Sequence, residues 1–264
     1  MNKQGVDPPH SMLIQQLIHH NFLFRGLDPG EMEVLWAQDG PIAEKLYSSR
    51  PIFTAFRPHQ SLEFLYAIVE GGPVVMRSTP LDRIIAMTYP GSCFGMRNLP
   101  LGVDLVCRSF PSLVEAYKTT DVIKIPLNAI ATLYQGNVDF KTKYDFLCEL
   151  REKFHYHLLN CSSYPPQAVA ALFRAVIYQE RSLENQPNKD GYYLLDLPVD
   201  IISHSCQLNH RTVEQVLKAM TKAGLIELCK TEDGHNDLIQ LNDPEALKEV
   251  YGATRSKVSW WPLK

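Results

Sequence analysis

The stretch that most restricts this chain is Leu197–Ile226. It reads as two helices joined by a three-residue bend: Pro198–Cys206, then Gln207-Leu208-Asn209, then His210–Ala223. Pro198 suits a first helical turn, where its missing amide is no loss. Ser203 is small at the place where two crossing helices must approach closely. Asn209 is a good helix cap, because its side chain accepts from the amides of the following turn. Val213, Val216, Leu217 and Met220 recur at the spacing of one buried helical stripe. His210, Arg211, Glu214, Gln215, Lys218 and Lys222 are left pointing outward. Gly224 ends the helix, and two strands follow, Gly224–Cys229 and Asp237–Leu241, flanking the turn Thr231–Asn236.

A polar helix face taken alone is usually just solvated. Here the bend, the cap, the stripe and the hairpin come together. Upstream lie a helix (Gln167–Glu180), a polar loop (Arg181–Asp190) and a short strand (Gly191–Leu195). The order helix, strand, helix, helix, strand, strand is that of a winged helix-turn-helix. Such units insert the start of the second helix into the DNA major groove. Side chains with donors there read guanine or adenine edges or hold phosphates.

The rest of the chain must then be organised differently. Its 264 residues correspond to one large domain or two ordinary ones. With 45% apolar and 21% charged residues it can bury a core. Residues 11–38 read as helical, with Leu13, Ile14, Leu17 and Ile18 at helical spacing and a restart at Asp28-Pro29-Gly30. From 50 to 126 the pattern changes to short β-branched and aromatic runs between glycine and proline breaks. They are Ile52–Phe56, Leu62–Val69, Val74–Arg77, Ile84–Met87, Leu113–Tyr117 and Val122–Ile125, the spacing of a small antiparallel barrel or sandwich.

Residues 127–161 are helical again, and Leu147, Leu150, Phe154, Leu158 and Cys161 form a narrow seam. Such a long helix either packs against its own β-domain or pairs with a copy of itself, and the seam favours the pair. Ser162-Ser163-Tyr164-Pro165-Pro166 then marks a domain boundary or hinge.

Several short pieces, in order, resemble the cyclic-AMP receptor protein / fumarate–nitrate reductase regulator (Crp/Fnr) superfamily of bacterial transcription regulators, with this chain as a divergent member. They are Phe22–Leu27, Leu65–Gly71, Pro90–Gly95, Val114–Ala116, Asn209–Leu217 and Lys222–Ile226. The resemblance implies an α+β chain with three parts. The first is an N-terminal β-roll sensor (residues 1–126), cupin-like and similar to cyclic-nucleotide-binding domains. A long central dimerisation helix (127–161) and a C-terminal winged helix-turn-helix (162–252) follow, with a tail (253–264). It also implies a homodimer on a near-palindromic operator, one recognition helix per half-site. On the matching positions His210, Arg211 and Gln215 face bases, while Thr212 and Lys218 are phosphate or positioning contacts.

Departures from the pattern bear on the effector. The family's bend usually holds glycine where this chain has Gln207, and its leading arginine is His210 here. Gly95 is followed by Met96, whereas nucleotide-binding members place a glutamate there for the ribose. Arg108-Ser109 lies two residues earlier than the family's phosphate anchor. Cyclic AMP is therefore not the expected effector. Arg97, Asn98, Arg108 and Ser109 either bind an organic anion by charge-assisted hydrogen bonds or are loop residues of a ligand-free domain.

No cysteine precedes Cys93, which excludes the family's iron–sulfur arrangement. His19, His20, His59, His155 and His157 are possible haem ligands, but a lone histidine is more often structural. The six cysteines are widely spaced and show no C-x-x-C. No metal, cofactor or catalytic residue is expected: there is no phosphate loop, H-E-x-x-H or Gly-x-Ser-x-Gly. Met1–His10 has no apolar core and no apolar run spans a bilayer, so the expectation is a cytoplasmic protein without membrane contact. Trp260-Trp261 in the tail either cover the DNA-binding domain or dock on a partner such as RNA polymerase.

The net charge of −3 excludes indiscriminate, charge-driven attachment to nucleic acid. Between His204 and Lys222, however, Arg211, Lys218 and Lys222 face one acid, Glu214, and the other acids, Asp200 among them, fall elsewhere. Glu232 and Asp233 at the wing tip predict a weak phosphate contact there. Two rival readings remain: a small-molecule sensor with weak DNA contact, and a co-regulator gripping protein through the same polar face.

Overall fold

The computed structural model describes residues 9–37, 40–48, 50–54, 63–78, 82–96, 113–159, 164–230 and 237–252. Two compact units emerge, residues 1–77 with 86–152, and residues 78–85 with 153–264. The division falls inside a helix, between residues 152 and 153.

In the first unit, α1 (His10–His20) and α2 (Pro29–Leu35) precede the strands. Asp28 opens α2 by accepting from the Glu31 amide at 2.9 Å, with proline at the first helical position as expected. Two four-stranded antiparallel sheets follow. One orders β1 (Ile42–Leu46), β8 (Thr120–Pro126), β3 (Phe64–Glu70) and β6 (Cys93–Phe94); the other orders β2 (Pro51–Thr54), β7 (Leu113–Ala116), β4 (Val74–Ser78) and β5 (Arg83–Thr88). Leu65, Ile68, Val74, Val75, Phe94, Val114, Ile123 and Ile125 are buried. All six expected strands are present with shifted ends.

The sequence pattern does not reveal β1 and β6. β1 carries charge where alternation should show apolar residues, and it is held at a sheet edge by Glu44–Lys124 (3.1 Å) and Lys45–Asp121 (3.2 Å) across to β8. β6 is only two residues long. Asn21, just past α1, donates to the Ser92 carbonyl and accepts from the Leu23 amide, and the Phe22 amide donates to the Gly91 carbonyl. The end of α1 is thereby bound to a turn about seventy residues further on.

The helical region expected over 127–161 is built of two helices, α3 (Leu127–Gly136) and α4 (Val138–Leu159), separated at Asn137. The Asn137 side chain accepts from the Phe140 amide at 2.9 Å and so restarts the helix. Leu147, Leu150, Phe154 and Leu158 are buried within the single chain. Cys161 lies outside the described residues.

The second unit contains α5 (Pro165–Ser182), β9 (Tyr193–Asp196), α6 (Val199–Cys206), α7 (His210–Lys222), β10 (Ile226–Cys229), β11 (Leu238–Leu241) and α8 (Ala246–Gly252). Its sheet is antiparallel in the order β10–β11–β9. Ala168 to Phe173 of α5, Ile201 and Ile202 of α6, and Ile239 and Leu241 of β11 form its core. The sequence pattern gives no sign of α8; the Asp243 carboxylate starts it by accepting from the Glu245 and Ala246 amides, and Leu247 and Val250 anchor it. Among the described residues no helix is long and apolar enough to cross a membrane.

Candidate nucleic-acid interface

The bend between α6 and α7 is built as its sequence predicts. Gln207 adopts the left-handed conformation at φ 55°, ψ 43°, the region that favours glycine. Its side-chain amide donates to the His204 carbonyl at 2.9 Å. The Ser203 hydroxyl donates to the Leu208 carbonyl across the turn, so this small residue also fastens the bend. Asn209 accepts from the Thr212 amide at 2.8 Å and caps α7.

Val213, Val216, Leu217 and Met220 are all buried, with Val213, Val216 and Met220 completely so. That stripe fixes the rotation of α7. Arg211, Glu214, Gln215, Lys218 and Lys222 therefore stand exposed, while Thr212 is half-buried. At 100° per residue these five exposed positions share one face of a helix about 20 Å long. None of the five makes a hydrogen bond or ion pair to the described residues. Three cations and an amide in such a row suit phosphates and base edges.

His210 differs from its neighbours. Its Nε2 lies 3.1 Å from Asp200 Oδ1, on the first turn of α6. Sequence reasoning sets Asp200 apart from the recognition helix; the bend instead folds α6 back so that this carboxylate meets the start of α7. His204, four residues after Asp200, lies with Nδ1 2.9 Å from the Asp200 carbonyl and 3.3 Å from its carboxylate. Its Nε2 is 3.6 Å from Asp82, which belongs to the same compact unit. The i, i+4 spacing of Asp200 and His204 is the one sequence signal for this cluster. It does not reveal the pairing to His210, which depends on the bend.

Arg97, Asn98, Arg108 and Ser109 all lie outside the described residues, as do Glu232, Asp233 and the tail at 253–264. The neighbourhood that leads to Arg97 is described. Gly95 has φ +88°, and a Cβ there would come 2.8 Å from the Phe64 carbonyl oxygen, so only glycine fits. Met96, in the place of the family's glutamate, is buried, and its carbonyl accepts from Tyr144 Oη at 2.6 Å. Burial pushes the Tyr144 phenol far above its ordinary range. Arg151 donates to the Cys93 carbonyl at 2.6 Å, and burial raises the Cys93 thiol to about 12. Cys93, Cys148, Cys206 and Cys229 form no disulfide among the described residues. Among the described residues no group of three or more His, Cys, Asp or Glu could hold a metal ion.

Solved structures share this architecture. FixK2 from Bradyrhizobium japonicum superposes with a TM-score of 0.58 at 16% identity, over 81% of this chain and 98% of that one. The fold is that of the Crp/Fnr transcription regulators. A CRP-family transcriptional regulator from Thermus thermophilus gives 0.52 at 16% identity, over 80% and 97%. A CooA mutant from Carboxydothermus hydrogenoformans gives 0.54 at 14% identity, over 83% and 94%. No family model and no curated protein sequence matches the chain. The likeness therefore rests on the path of the backbone, and the Crp/Fnr architecture of two sheets, long helix and winged helix-turn-helix is what it establishes.

Proposed function

We propose that the chain is a sequence-specific, DNA-binding transcription regulator of the Crp/Fnr type that works by binding and not by catalysis. One observation carries this reading: α7 is rotationally fixed by a buried stripe while Arg211, Gln215, Lys218 and Lys222 on its other face are left without partners among the described residues. Unpaired exposed donors along a capped helix after a tight bend match the chemistry of the major groove. The rival in which this face grips a protein predicts no steep salt dependence.

The protein is further read as a cytoplasmic homodimer on a near-palindromic operator. Because Leu147, Leu150, Phe154 and Leu158 are covered within one chain, a second copy would meet α4 on the half-buried flank of Asp145, Cys148, Glu152 and His155. Met96 in place of a ribose-binding carboxylate supports an effector other than cyclic AMP.

The test is binding to duplex DNA enriched from a random pool. Affinity should fall steeply with rising salt as counterions are released. The enriched sequence should have two half-sites about one helical turn apart. Arg211→Ala should lose about 1–3 kcal/mol of binding, with folding stability changed by less than about 0.5 kcal/mol. Unaltered affinity in Arg211→Ala would show that α7 is not the reading helix.

A further inference from the structure

One exposed polar side chain of α7 is held by another helix. His210 is the first residue of the helix, and its Nε2 is engaged by the Asp200 carboxylate at 3.1 Å. We propose that Asp200 is a positioning residue that fixes the tautomer of His210 and thereby decides which base His210 reads. This inference rests on the reading of α7 as a DNA-recognition helix.

Hydrogen-bond polarity decides the tautomer. An ionised carboxylate can only accept, so the imidazole nitrogen facing it must carry the proton. In a neutral ring the other nitrogen is then an acceptor, because the partner of one nitrogen sets the state of the second. His210 Nδ1 has no hydrogen bond to the described residues. It is therefore presented as an acceptor at the start of the recognition helix.

In the major groove an acceptor pairs with an exocyclic amino group, N6 of adenine or N4 of cytosine. It does not pair with guanine, which offers only its N7 and O6 acceptors there. An arginine at the same position would do the opposite, donating to both guanine acceptors. The Asp200–His210 pair thus converts a guanine-reading position into one that reads an amino-bearing base.

The carboxylate is itself held in place. His204, on the same helix, directs Nδ1 at the Asp200 carbonyl and lies 3.3 Å from Oδ1. Asp200 is therefore bracketed by two imidazoles, which fixes it against His210.

The experiment is selection of full-length protein on a random duplex library, with sequencing of the bound pool, for the wild type and four variants. His210→Ala identifies the operator position that His210 reads, as the one whose preference it erases. At that position the wild type should enrich adenine or cytosine over guanine by on the order of tenfold. Asp200→Asn and Asp200→Ala should reduce that ratio towards unity and leave the other positions unchanged. Asp200→Glu, which keeps a carboxylate, should restore at least part of it. A role in folding alone would weaken all positions together and would lower the melting temperature. An unchanged ratio in Asp200→Asn overturns the assignment of Asp200 while leaving the DNA-binding reading intact. Failure of the wild type to enrich any sequence overturns the DNA-binding reading, and this inference with it.

Discussion

Helices α4 and α7 begin alike and end up with opposite tasks. Each is opened by an asparagine whose side chain accepts from the amide three residues on, Asn137 to Phe140 and Asn209 to Thr212. Each buries a regular apolar stripe. α4, however, also commits its polar side chains to the backbone of its own unit. Tyr144 donates to the Met96 carbonyl, Arg151 to that of Cys93 and Lys143 to that of Arg25. On α7 only His210 reaches another element; Thr221 bonds back to the Leu217 carbonyl of its own helix, and Arg211, Glu214, Gln215, Lys218 and Lys222 meet no described residue through their side chains. A helix whose polar groups are satisfied internally is part of the scaffold. One whose donors are aimed by a buried stripe and left unused has the form that the proposed function requires of an interface. Amphipathic spacing alone does not separate the two.

The contrast can be broken most forcefully at Phe140, which is fully buried and packs on Phe24 with ring centroids 5.6 Å apart. If α4 is scaffold, Phe140→Ala should lower unfolding stability by about 3–5 kcal/mol in denaturant titration. A loss below about 1 kcal/mol would remove α4 from that role. The entry to α7 is the next most sensitive point. Gln207 holds a left-handed conformation that glycine adopts without strain, so Gln207→Gly should raise stability by about 1 kcal/mol with DNA affinity unaltered. A destabilised variant would mean that its bond to the His204 carbonyl outweighs the backbone strain.

The smallest effect is expected at His157, where α4 meets the Ala171 carbonyl at 3.0 Å. Burial holds this imidazole below its ordinary value of 6.5; the Ala171 bond opposes the shift and Arg174 adds to it. The unfolded chain then binds the proton more readily than the folded one. The stability contributed by the neutral ring is present above pH 6.5 and fades as pH falls below it. His157→Gln should flatten that acid-side slope in thermal melts, and an unchanged slope would assign it to other groups.

The winged-helix unit is legible in the sequence because its signals are local. A bend, a cap, a four-residue stripe and a hairpin all fall within about forty residues, and each has its own residue chemistry. The β-domain is legible only in part. β1 escapes because Glu44 and Lys45 interrupt its apolar alternation and instead pair with charges on β8, and β6 because two residues carry no period. The seam of α4 is buried as its spacing predicts, but periodicity gives the face and not the neighbour that covers it. Asp200 is hidden for a related reason: its meeting with His210 exists only after the left-handed residue at 207 has reversed the chain.

The attachment of Asn21 and Phe22 to residues 91 and 92 has a consequence for synthesis. α1 is made first, yet the groups that tie down its end are made about seventy residues later. At about 5–20 residues per second, that is a wait of several seconds on the ribosome. During that interval Leu13, Ile14 and Leu17, all buried in the finished protein, belong to a helix whose end is not yet tied down. That helix end is open to chaperones and to wrong partners until residues 91 and 92 have emerged.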